Sequence, residues 1–471
     1  MAVTHLMDIN SYLALHKDQP MPEIASKLER GLSLSQATAI NMIDMVGIGP
    51  FITIPAIVAA MKGPQCVFAW LLGALLAFMD GSVWAELGAK WPMAGGSYVF
   101  LQRVYGEGKF GKMMSFLLVW QTIVQAPLVV ASAAIGFSQY LNYLINLNEI
   151  QQKMVSGGLV ILVTILLYRN IKSIGKISIL LSIITVGTFV WLIGSGFMHF
   201  NPHMAFSFGS GAFSLSGIFW VGLGQASLQS VYSYLGYYNV CHLGGEIIKP
   251  EVNIPRSIFI SVGGIALIYI LMQIVVSGNM PWQQTANSHF IVSTYFENIY
   301  GPLAGKIATV LVLLIAASSL FAVMLGYSRI PYAAAVDGNF FKAFAATHPR
   351  KHFPYVSLLV LGGLGFAFSL LFKLTNVIKA ILAMRILVQF VGQSVGVIYW
   401  HWRKPNDERP YKMKFYPLPA VIGIIIWLFI FCVSPPGYIL GALCYISIGV
   451  AVYWLVMVPG KRKRELRAEK S

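Results

Sequence analysis

Residues 46–51 read VGIGPF, and they interrupt a hydrophobic stretch that runs from about Ala37 to Met61. That stretch has the length of a bilayer-spanning helix. Two glycines and a proline at its centre should break the helix. A broken helix in lipid leaves backbone N–H and C=O groups without hydrogen-bond partners, at a cost of several kcal/mol per group. The break therefore predicts a place where backbone groups face a ligand instead of lipid.

The composition is that of a protein that crosses the membrane many times. Of the 471 residues, 57% are hydrophobic and 11% are charged, whereas charged residues make up about 25% of an ordinary soluble domain. About twelve hydrophobic runs are long enough to span a bilayer. They lie at roughly 36–61, 64–88, 112–142, 154–170, 175–198, 214–246, 255–278, 304–336, 355–373, 376–400, 418–434 and 437–458. We therefore predict an all-α integral membrane protein.

The formal net charge of +16 would suit a nucleic-acid partner, but the placement of the charges argues against one. If the N-terminus is cytoplasmic, most of the 33 Lys and Arg residues fall in loops on the cytoplasmic side. This positive-inside asymmetry predicts that both termini face the cytoplasm, and we assign the protein to the plasma membrane. The basic segment 459–471 is typical of a solvated topology anchor, or of a tail attracted to anionic lipid.

Residue patterns for covalent chemistry are missing from the sequence. No Gly-rich phosphate loop, GxSxG elbow or HExxH site occurs. The cysteines show neither metal-ligand spacing nor a pairing pattern, and none lies in the loop 146–152, so we expect no metal site and no disulfide-linked partner. They are Cys66, Cys241, Cys432 and Cys444. We therefore predict no enzymatic activity; the oligomeric state stays open.

A second hydrophobic run is interrupted at residues 233–240, SYLGYYNV, where Gly236 sits among small and polar residues. Each break falls in the first span of a five-span block, and an odd number of spans makes the second block enter from the opposite side. Paired breaks at matching positions of two halves indicate a transporter binding site near the middle of the bilayer. The alternative for Gly47 and Gly49 is close packing of neighbouring helices.

The predicted organisation follows from these blocks. It is a cytoplasmic segment 1–35, a first five-helix repeat 36–200, a second inverted repeat 214–400, helices 11 and 12 within 418–458, and the basic tail 459–471.

Four stretches resemble, in the same order, motifs of the amino acid–polyamine–organocation (APC) permeases. They are KLERGLSLSQATAINMIDMVGIGPF (27–51), ELGAKWPMAGGSY (86–98), YSYLGYYNVCHLGGEIIKPEVNIPR (232–256) and SRIPYAAAVDG (328–338). The resemblance covers about residues 27–420. It implies a leucine-transporter-type fold with about twelve transmembrane helices, a five-plus-five inverted repeat and broken helices 1 and 6. It also implies a secondary amino-acid transporter that works by alternating access, as a symporter or an exchanger.

Four departures from the family pattern bear on function. Pro50 stands where the family has Ile or Val, and Tyr232 stands where a gating phenylalanine is common. Gly245 replaces the first glutamate of a pair, and Thr185 stands where many proton-coupled members carry a lysine. Two other functions stay open beside amino-acid transport. One is a cationic amine or polyamine carrier with Asp44 as the counter-charge, and the other is a sensor with a transporter fold.

The first break offers groups for both ends of a zwitterion. The N–H groups that start its outer half lack helical partners and carry about half a positive charge, so they suit a carboxylate. Gly47 and Gly49 let a ligand approach the backbone closely. The donors are those of Ile48, Gly49 and Phe51, since Pro50 has none, and the free carbonyls that suit an ammonium group or a cation lie near Ile43, Asp44 and Val46. An α-amino acid is therefore the default ligand.

The second break repeats this logic. Carbonyls around Tyr232, Ser233 and Tyr234 are placed to accept hydrogen bonds from a substrate amine, and Gly236 leaves room for its side chain. In the family, the residue at the position of Tyr232 is an aromatic gate, so the resemblance implies that Tyr232 covers the bound substrate from the outside.

Asp44 and Asp80 are carboxylates deep in predicted spans, where a charge costs at least about 2.5–3.5 kcal/mol and marks function by default. Asp44 lies one turn before the first break. Its open roles are pairing with a substrate amine, ligating Na⁺ or carrying a proton, and the alternative is a structural bond to a neighbouring helix. For Asp80, a structural bond and a proton site are equally open.

Two further interpretations rest on analogy with the fold. Relatives that use sodium place hydroxyls at the positions of Ser318 and Ser319, facing the carbonyls of the first break, and Thr185 leaves room for the ion. The coupling ion is thus Na⁺ or H⁺, although adjacent hydroxyls also serve as plain helix–helix bonds. Glu246 is expected at the inner gate in an ion pair with Arg103 or Arg329, or in an ordinary interfacial salt bridge.

Overall fold

The hydrophobic runs form helices in a computed structural model that describes residues 28–106, 108–209, 212–214 and 216–458. The first half contains α1 (Leu34–Met45), α2 (Gly49–Met61), α3 (Val67–Lys90), α4 (Ser97–Tyr105), α5 (Lys109–Leu141), α6 (Glu149–Leu167), α7 (Ile171–Met198) and α8 (Pro202–Ala205). Most of the predicted segment 1–35 and the predicted tail 459–471 lie outside the described residues.

The second half is also helical. It contains α9 (Gly217–Tyr234), α10 (Asn239–His242), α11 (Pro250–Asn279), α12 (Trp282–Ala286), α13 (Ile291–Tyr300), α14 (Pro302–Tyr327), α15 (Arg329–Val336), α16 (Tyr355–Leu371), α17 (Leu374–Arg385), α18 (Gly392–Arg403), α19 (Leu418–Cys432) and α20 (Pro436–Val452). A stretch of π-helix, Ile386–Val391, joins α17 to α18.

Several of these helices are suited to cross a bilayer. Among the described residues, 7 helices are long and apolar enough to do so, or 8 if the bent pair α1–α2 counts as one span. The shorter helices α16 and α19 are also apolar. The described part of the chain is thus all-helical, and its apolar helices fit a multi-pass membrane protein, as the composition predicts. The number of about twelve spans stays a prediction.

The first break separates α1 from α2. Ser33 begins α1 with a capping box, in which its side chain and that of Gln36 each bond the other's backbone N–H. The helix ends at Met45, and α2 begins at Gly49 with its axis turned by 44°. Pro50 lies in the first turn of α2, where a missing N–H costs nothing because that group has no helical partner in any case.

The second break follows α9 at residues 235–238. Gly236 has φ +121°, a backbone conformation open to glycine but strained for other residues. A Cβ placed on Gly236 would lie 2.8 Å from the Met45 nitrogen and 2.9 Å from the Asp44 carbonyl carbon. Glycine is therefore required twice, by conformation and by space, and the two breaks pack directly against each other.

Buried polar side chains bind the two breaks together. Asn41 donates a hydrogen bond to the carbonyl of Tyr237 at 2.8 Å and accepts one from the N–H of Val240 at 2.9 Å. The hydroxyl of Tyr269 lies 2.8 Å from the carbonyl oxygen of Met45 and 3.1 Å from that of Ser233. Buried backbone groups need such partners, so these side chains stabilise an arrangement that a continuous helix would not require.

We expect Asn41→Ala to lower the melting temperature of the purified protein. The substitution leaves the buried carbonyl of Tyr237 and the N–H of Val240 unpaired, and each lost partner costs about 1–3 kcal/mol. Thermal unfolding in detergent measures the effect. Asn287→Ala is the control, because Asn287 is exposed and bonds within its own helix turn. Equal melting temperatures for the two variants would contradict the assigned role of Asn41.

Candidate functional site

A small cavity of about 50 Å³ lies where the two breaks meet. Space of this size holds a few water molecules, since each needs about 10–15 Å³, so the site is nearly closed in this conformation. The residues predicted from the sequence that line it are Asp44, Gly47, Ile48, Gly49, Tyr232, Ser233, Gly236 and Ser319. The tertiary structure thus brings together residues from both breaks and from α14.

A larger cavity of about 650 Å³ lies elsewhere, between α6, the start of α7 and α16, with Tyr168, Arg169 and Lys351 in its wall. It contains no residue of either break, and Arg169 is exposed. Size alone would favour this cavity as a ligand site. The smaller cavity is the candidate site because freed backbone groups and buried charges converge there.

The N-terminus of α2 supplies the donors of the site. No side chain caps this terminus, and the first N–H groups of any helix lack intrahelical partners. Gly49 faces the second break closely, since a Cβ placed there would lie 3.4 Å from both the Cα and the Oγ of Ser233. A Cβ on Gly47 would overlap the hydroxyl of Ser319. Both glycines are therefore positions where the backbone itself forms the wall of the cavity.

The C-terminal end of α1 supplies acceptors, and two of its carbonyls already have partners. The carbonyl of Met45 accepts from Tyr269, and the hydroxyl of Ser319 lies 3.4 Å from the carbonyl oxygen of Asp44. Ile43 and Val46 are buried beside them. Carbonyl and hydroxyl oxygens, the ligand type that hard cations prefer, therefore lie together at this end of the break.

The residues predicted for ion coupling separate into two groups. Ser319 reaches the first break, whereas the hydroxyl of Ser318 bonds within its own helix to the carbonyl of Leu314 at 2.6 Å. Thr185 on α7 is buried, and its hydroxyl has no partner among the described residues. The described residues contain no cluster of His, Cys, Asp or Glu that could hold a metal ion.

The residues that lead into the second break contact different neighbouring helices. Tyr232 is half-buried, and its hydroxyl lies 3.1 Å from that of Ser132 on α5. The hydroxyl of Ser233 lies 2.9 Å from that of Thr53 and so links α9 to α2. Tyr234 points away from the cavity and packs against Tyr269, with ring centroids 5.1 Å apart.

Four predicted residues of the first break do not line the cavity: Ile43 and Val46, described above, and Pro50 and Phe51. Phe51 is buried and stacks on Phe189 of α7, with ring centroids 5.5 Å apart. Pro50 is also buried. Their side chains serve packing in this conformation, while the backbone of Phe51 keeps its place in the first turn of α2.

Arg385 is a cavity residue for which sequence analysis assigned no role. Its buried guanidinium lies 4.8 Å from the ring centre of Tyr238 and 5.6 Å from that of Tyr327, in contacts that favour a cation. Nε donates to Gln389 at 2.8 Å, and Nη2 has no partner among the described residues. The signal that singles out Asp44, a charge inside a span, applies equally to Arg385.

The cavity therefore contains opposite charges that are not paired with each other. Asp44 and Arg385 both line it, yet the described residues show no ion pair between them. Arg385 is also the last residue before the π-helical stretch Ile386–Val391, a local distortion that is common at functional sites. A zwitterionic ligand suits such a site better than a ligand of one sign.

Glu246 lies apart from the cavity, in a separate buried ion pair. Its two carboxylate oxygens accept from Nε and Nη2 of Arg329, both at 2.9 Å, and both side chains are almost fully buried. The backbone carbonyl of Glu246 accepts from the N–H groups of Gly31 and Leu32 at 2.9 and 3.0 Å. Of the two predicted partners, Arg329 is the one that the structure pairs with Glu246.

The chain is similar to known amino acid permeases and transporters over most of its length. A family model described as amino acid permease matches residues 32–458. The Asc-type amino acid transporter 1 of Mus musculus is 26% identical over 456 residues, which are 91% of this chain and 81% of the transporter. The branched-chain amino acid permease BcaP of Bacillus subtilis (strain 168) is 22% identical, over 91% of this chain and 93% of the permease. The cationic amino acid transporter 4 of Mus musculus is 25% identical, over 84% of this chain and 64% of the transporter.

We expect Gly49→Val to abolish ligand binding at the break. The branched side chain fills the space between α2 and Ser233 and blocks approach to the N–H groups. Loss of ligand-induced thermal stabilisation measures the effect. Gly187→Val is the matched control, because a Cβ at Gly187 meets no atom within 4 Å. Binding by Gly49→Val at wild-type strength would exclude these N–H groups as a carboxylate site.

Proposed function

The chain belongs to the amino acid permease family of the APC superfamily, and on that premise we propose that it carries amino acids by alternating access. The protein is a transporter and not an enzyme. The observation that carries the proposal is the cavity between the two breaks, where helix-start N–H groups, carbonyls and two opposite charges converge. Each of these groups matches a part of an α-amino acid.

The proposed binding mode uses both breaks. The substrate carboxylate accepts hydrogen bonds from the N–H groups at Ile48, Gly49 and Phe51, which the positive end of the α2 dipole favours. The ammonium group lies against the carbonyls at the end of α1 and near Ser233. Gly236 leaves room for the substrate side chain. Support comes from the shared cavity and from the close approach of Gly49 to Ser233.

The proposed fold is the leucine-transporter type, with about twelve spans in a five-plus-five inverted repeat. Its support is the pair of breaks at residues 46–48 and 235–238, which occupy corresponding positions of the proposed halves and fit the pattern of such transporters. We also propose that the protein lies in the plasma membrane with both termini on the cytoplasmic side. The distribution of Lys and Arg supports this orientation.

The proposed gates lie on either side of the cavity. Tyr232 covers the substrate from outside, where its hydroxyl meets Ser132. On the inside, the Glu246–Arg329 pair ties the segment after the second break to α15, and the Glu246 carbonyl ties it to the start of α1. Removing one partner of a buried ion pair costs about 3–5 kcal/mol, so this pair favours a closed inner side.

Coupling is proposed to use Na⁺ or H⁺, in symport or exchange. A sodium ion would find the carbonyl of Asp44 and the hydroxyl of Ser319 in place, with Thr185 as a further hydroxyl. These oxygens suit a hard cation. A proton would instead need a carboxylate whose hydrogen bonds depend on conformation.

A cationic amine or polyamine is the second candidate substrate, favoured by the carboxylate of Asp44 in the cavity and by the similarity to a cationic amino acid transporter. Arg385 in the same cavity weakens this candidate, because it repels a second positive charge. A sensor with a transporter fold would bind ligand in the same cavity without moving it.

Binding and transport can be tested in sequence. A thermal-shift screen with all amino acids and several polyamines, with and without Na⁺ and at two pH values, should identify amino acids as stabilising ligands, because a ligand of the native state raises its stability by mass action. Uptake of the best ligand into proteoliposomes should then be saturable and stereoselective. Stabilisation without uptake would favour a sensor, and stabilisation by polyamines alone would overturn the amino-acid proposal.

Asp44→Asn separates the two substrate classes. If Asp44 contacts the α-amino group or a coupling ion, uptake of neutral and cationic substrates should fall together. If it is a counter-charge for a cationic side chain, cationic substrates alone should lose uptake. The ratio of uptake rates for one neutral and one cationic amino acid, relative to wild type, measures the difference.

Glu246→Gln should open the inner side of the protein. The substitution removes the charge that pairs with Arg329, and the buried Cys241, five residues away, serves as a native reporter. We expect faster alkylation of Cys241 and no change at Cys66, which is buried beside the far end of α2, in a background where the exposed Cys432 and Cys444 are replaced by serine. Glu29→Gln is the control, since Glu29 pairs with Lys172 among exposed side chains. Unchanged Cys241 reactivity would contradict the gate.

A further inference from the structure

Asp80 is a buried carboxylate that the substrate site does not use. It lies in the middle of α3, is 1% exposed, and has no ion-pair partner among the described residues. Its Oδ2 accepts from Nε1 of Trp84 at 2.8 Å and from the hydroxyl of Tyr237 at 2.5 Å. Its Oδ1 has no partner among the described residues. A buried charge held by two hydrogen bonds and no cation depends strongly on each of those bonds.

The bond to Tyr237 connects this carboxylate to the second break. Tyr237 directly follows Gly236, which packs on Asp44 and Met45 of the first break, and its carbonyl accepts from Asn41 of α1. The Tyr237 side chain therefore reaches α3 from the point where the two breaks meet. A change in this bond acts on the segment that must move if the inner side is to open.

Several elements pack around Asp80 and present different groups to it. Asp80 accepts a hydrogen bond from Tyr237 of the second break. The guanidinium of Arg385 on α17 interacts with Asp80 electrostatically. On the side of α19, the Nε1–H of Trp427 lies close enough to act on Asp80 as a donor, although neither it nor Oδ1 of Asp80 makes a geometrically defined hydrogen bond among the described residues. On the side of α11, Ile258 packs on the neighbouring Gly81. Glu86, further along α3, is held by His401 at 2.5 Å and by the N–H of Met413 at 2.7 Å.

We propose that Asp80 binds the coupling proton, and that its protonation weakens the bond to Tyr237 and so releases the second break. This inference rests on the proposed transport function. Hydrogen bonds to an ionised carboxylate are about twice as strong as those between neutral groups, so the ionised form stabilises the conformation seen here. A conformation in which Tyr237 has moved away leaves the carboxylate short of a donor and favours the protonated form.

Under this proposal, pH controls which conformation is populated. Protons bind more tightly to the conformation without the Asp80–Tyr237 bond, so lower pH shifts the population toward that conformation. An inward proton gradient would then drive the cycle, because Asp80 takes up a proton on the acidic side and releases it to water on the other side.

The test uses the full chain in proteoliposomes without Na⁺, with the amino acid that most stabilises the wild type. Counterflow at equal pH on both sides reports substrate exchange alone, while uptake under an inward proton gradient reports coupling. We expect the gradient to raise wild-type accumulation several-fold. Asp80→Asn should keep counterflow and lose the stimulation, with a ratio of uptake with to without the gradient near one.

Two further variants sharpen the result. Tyr237→Phe removes one donor from the carboxylate and should shift the pH midpoint of uptake upward. Glu297→Gln is the matched control, because Glu297 also accepts from a tyrosine hydroxyl, that of Tyr143 at 2.6 Å, but is exposed. It should keep the full stimulation by the gradient.

The proton site is wrong if the gradient still stimulates uptake by Asp80→Asn, or if it does not stimulate uptake by the wild type. In either case, counterflow would still support amino-acid transport. The absence of counterflow with every amino acid would overturn the transport function itself. Infrared difference spectra between high and low pH give a readout independent of transport. The carbonyl band of a protonated, buried carboxylic acid should lose intensity in Asp80→Asn, with any remaining band coming from other carboxylates such as Asp44, and a spectrum that the substitution leaves unchanged would exclude Asp80.

Discussion

The need to satisfy backbone hydrogen bonds inside a membrane governs the organisation of this protein. A helix in lipid satisfies its own N–H and C=O groups, and a break in it exposes them at a cost that lipid cannot offset. The two breaks, at residues 46–48 and 235–238, are stable because they face each other in the protein interior. Gly236 permits this approach, since any side chain there would collide with the backbone of Asp44 and Met45.

Side chains of the protein provide hydrogen-bond partners for some of the freed backbone groups, and other freed groups have none among the described residues. Asn41 and Tyr269 provide partners for backbone groups of both breaks. The start of α2 remains uncapped, and the cavity beside it is small and lined by groups of both charge signs. This division explains how one region can be stable without ligand and still keep backbone groups free for the proposed substrate. The rigid bonds fix the geometry, and the open donors and acceptors define what can occupy the space.

Buried charged groups likewise fall into those with an ion-pair partner and those without one. Glu246 and Arg329 satisfy each other in a bidentate pair, a geometry that gives stability and specificity. Asp44, Arg385 and Asp80 have no such partner among the described residues. An unpaired buried charge destabilises a fold unless conformation, ligand or proton binding compensates for it. Asp44 and Arg385 line the cavity, and Asp80 bonds Tyr237 of the second break. The proposed substrate binding, coupling and movement of the second break would therefore share a few side chains.

The sequence by itself determined the class of the protein, its family and the positions of both breaks, because hydropathy, glycine and proline act locally along the chain. It also predicted that Asp44, Gly49, Ser233 and Gly236 belong to one site, since the breaks imply free backbone groups, and these residues line one cavity. The tertiary structure alone decided which side chains reach that site. Arg385 enters the cavity, whereas Tyr234 and Phe51 turn into packing contacts. It also decided that Arg329 pairs with Glu246 and that Tyr237 reaches Asp80. These contacts join residues far apart in the chain, and their geometry depends on how the helices pack, which no local pattern specifies.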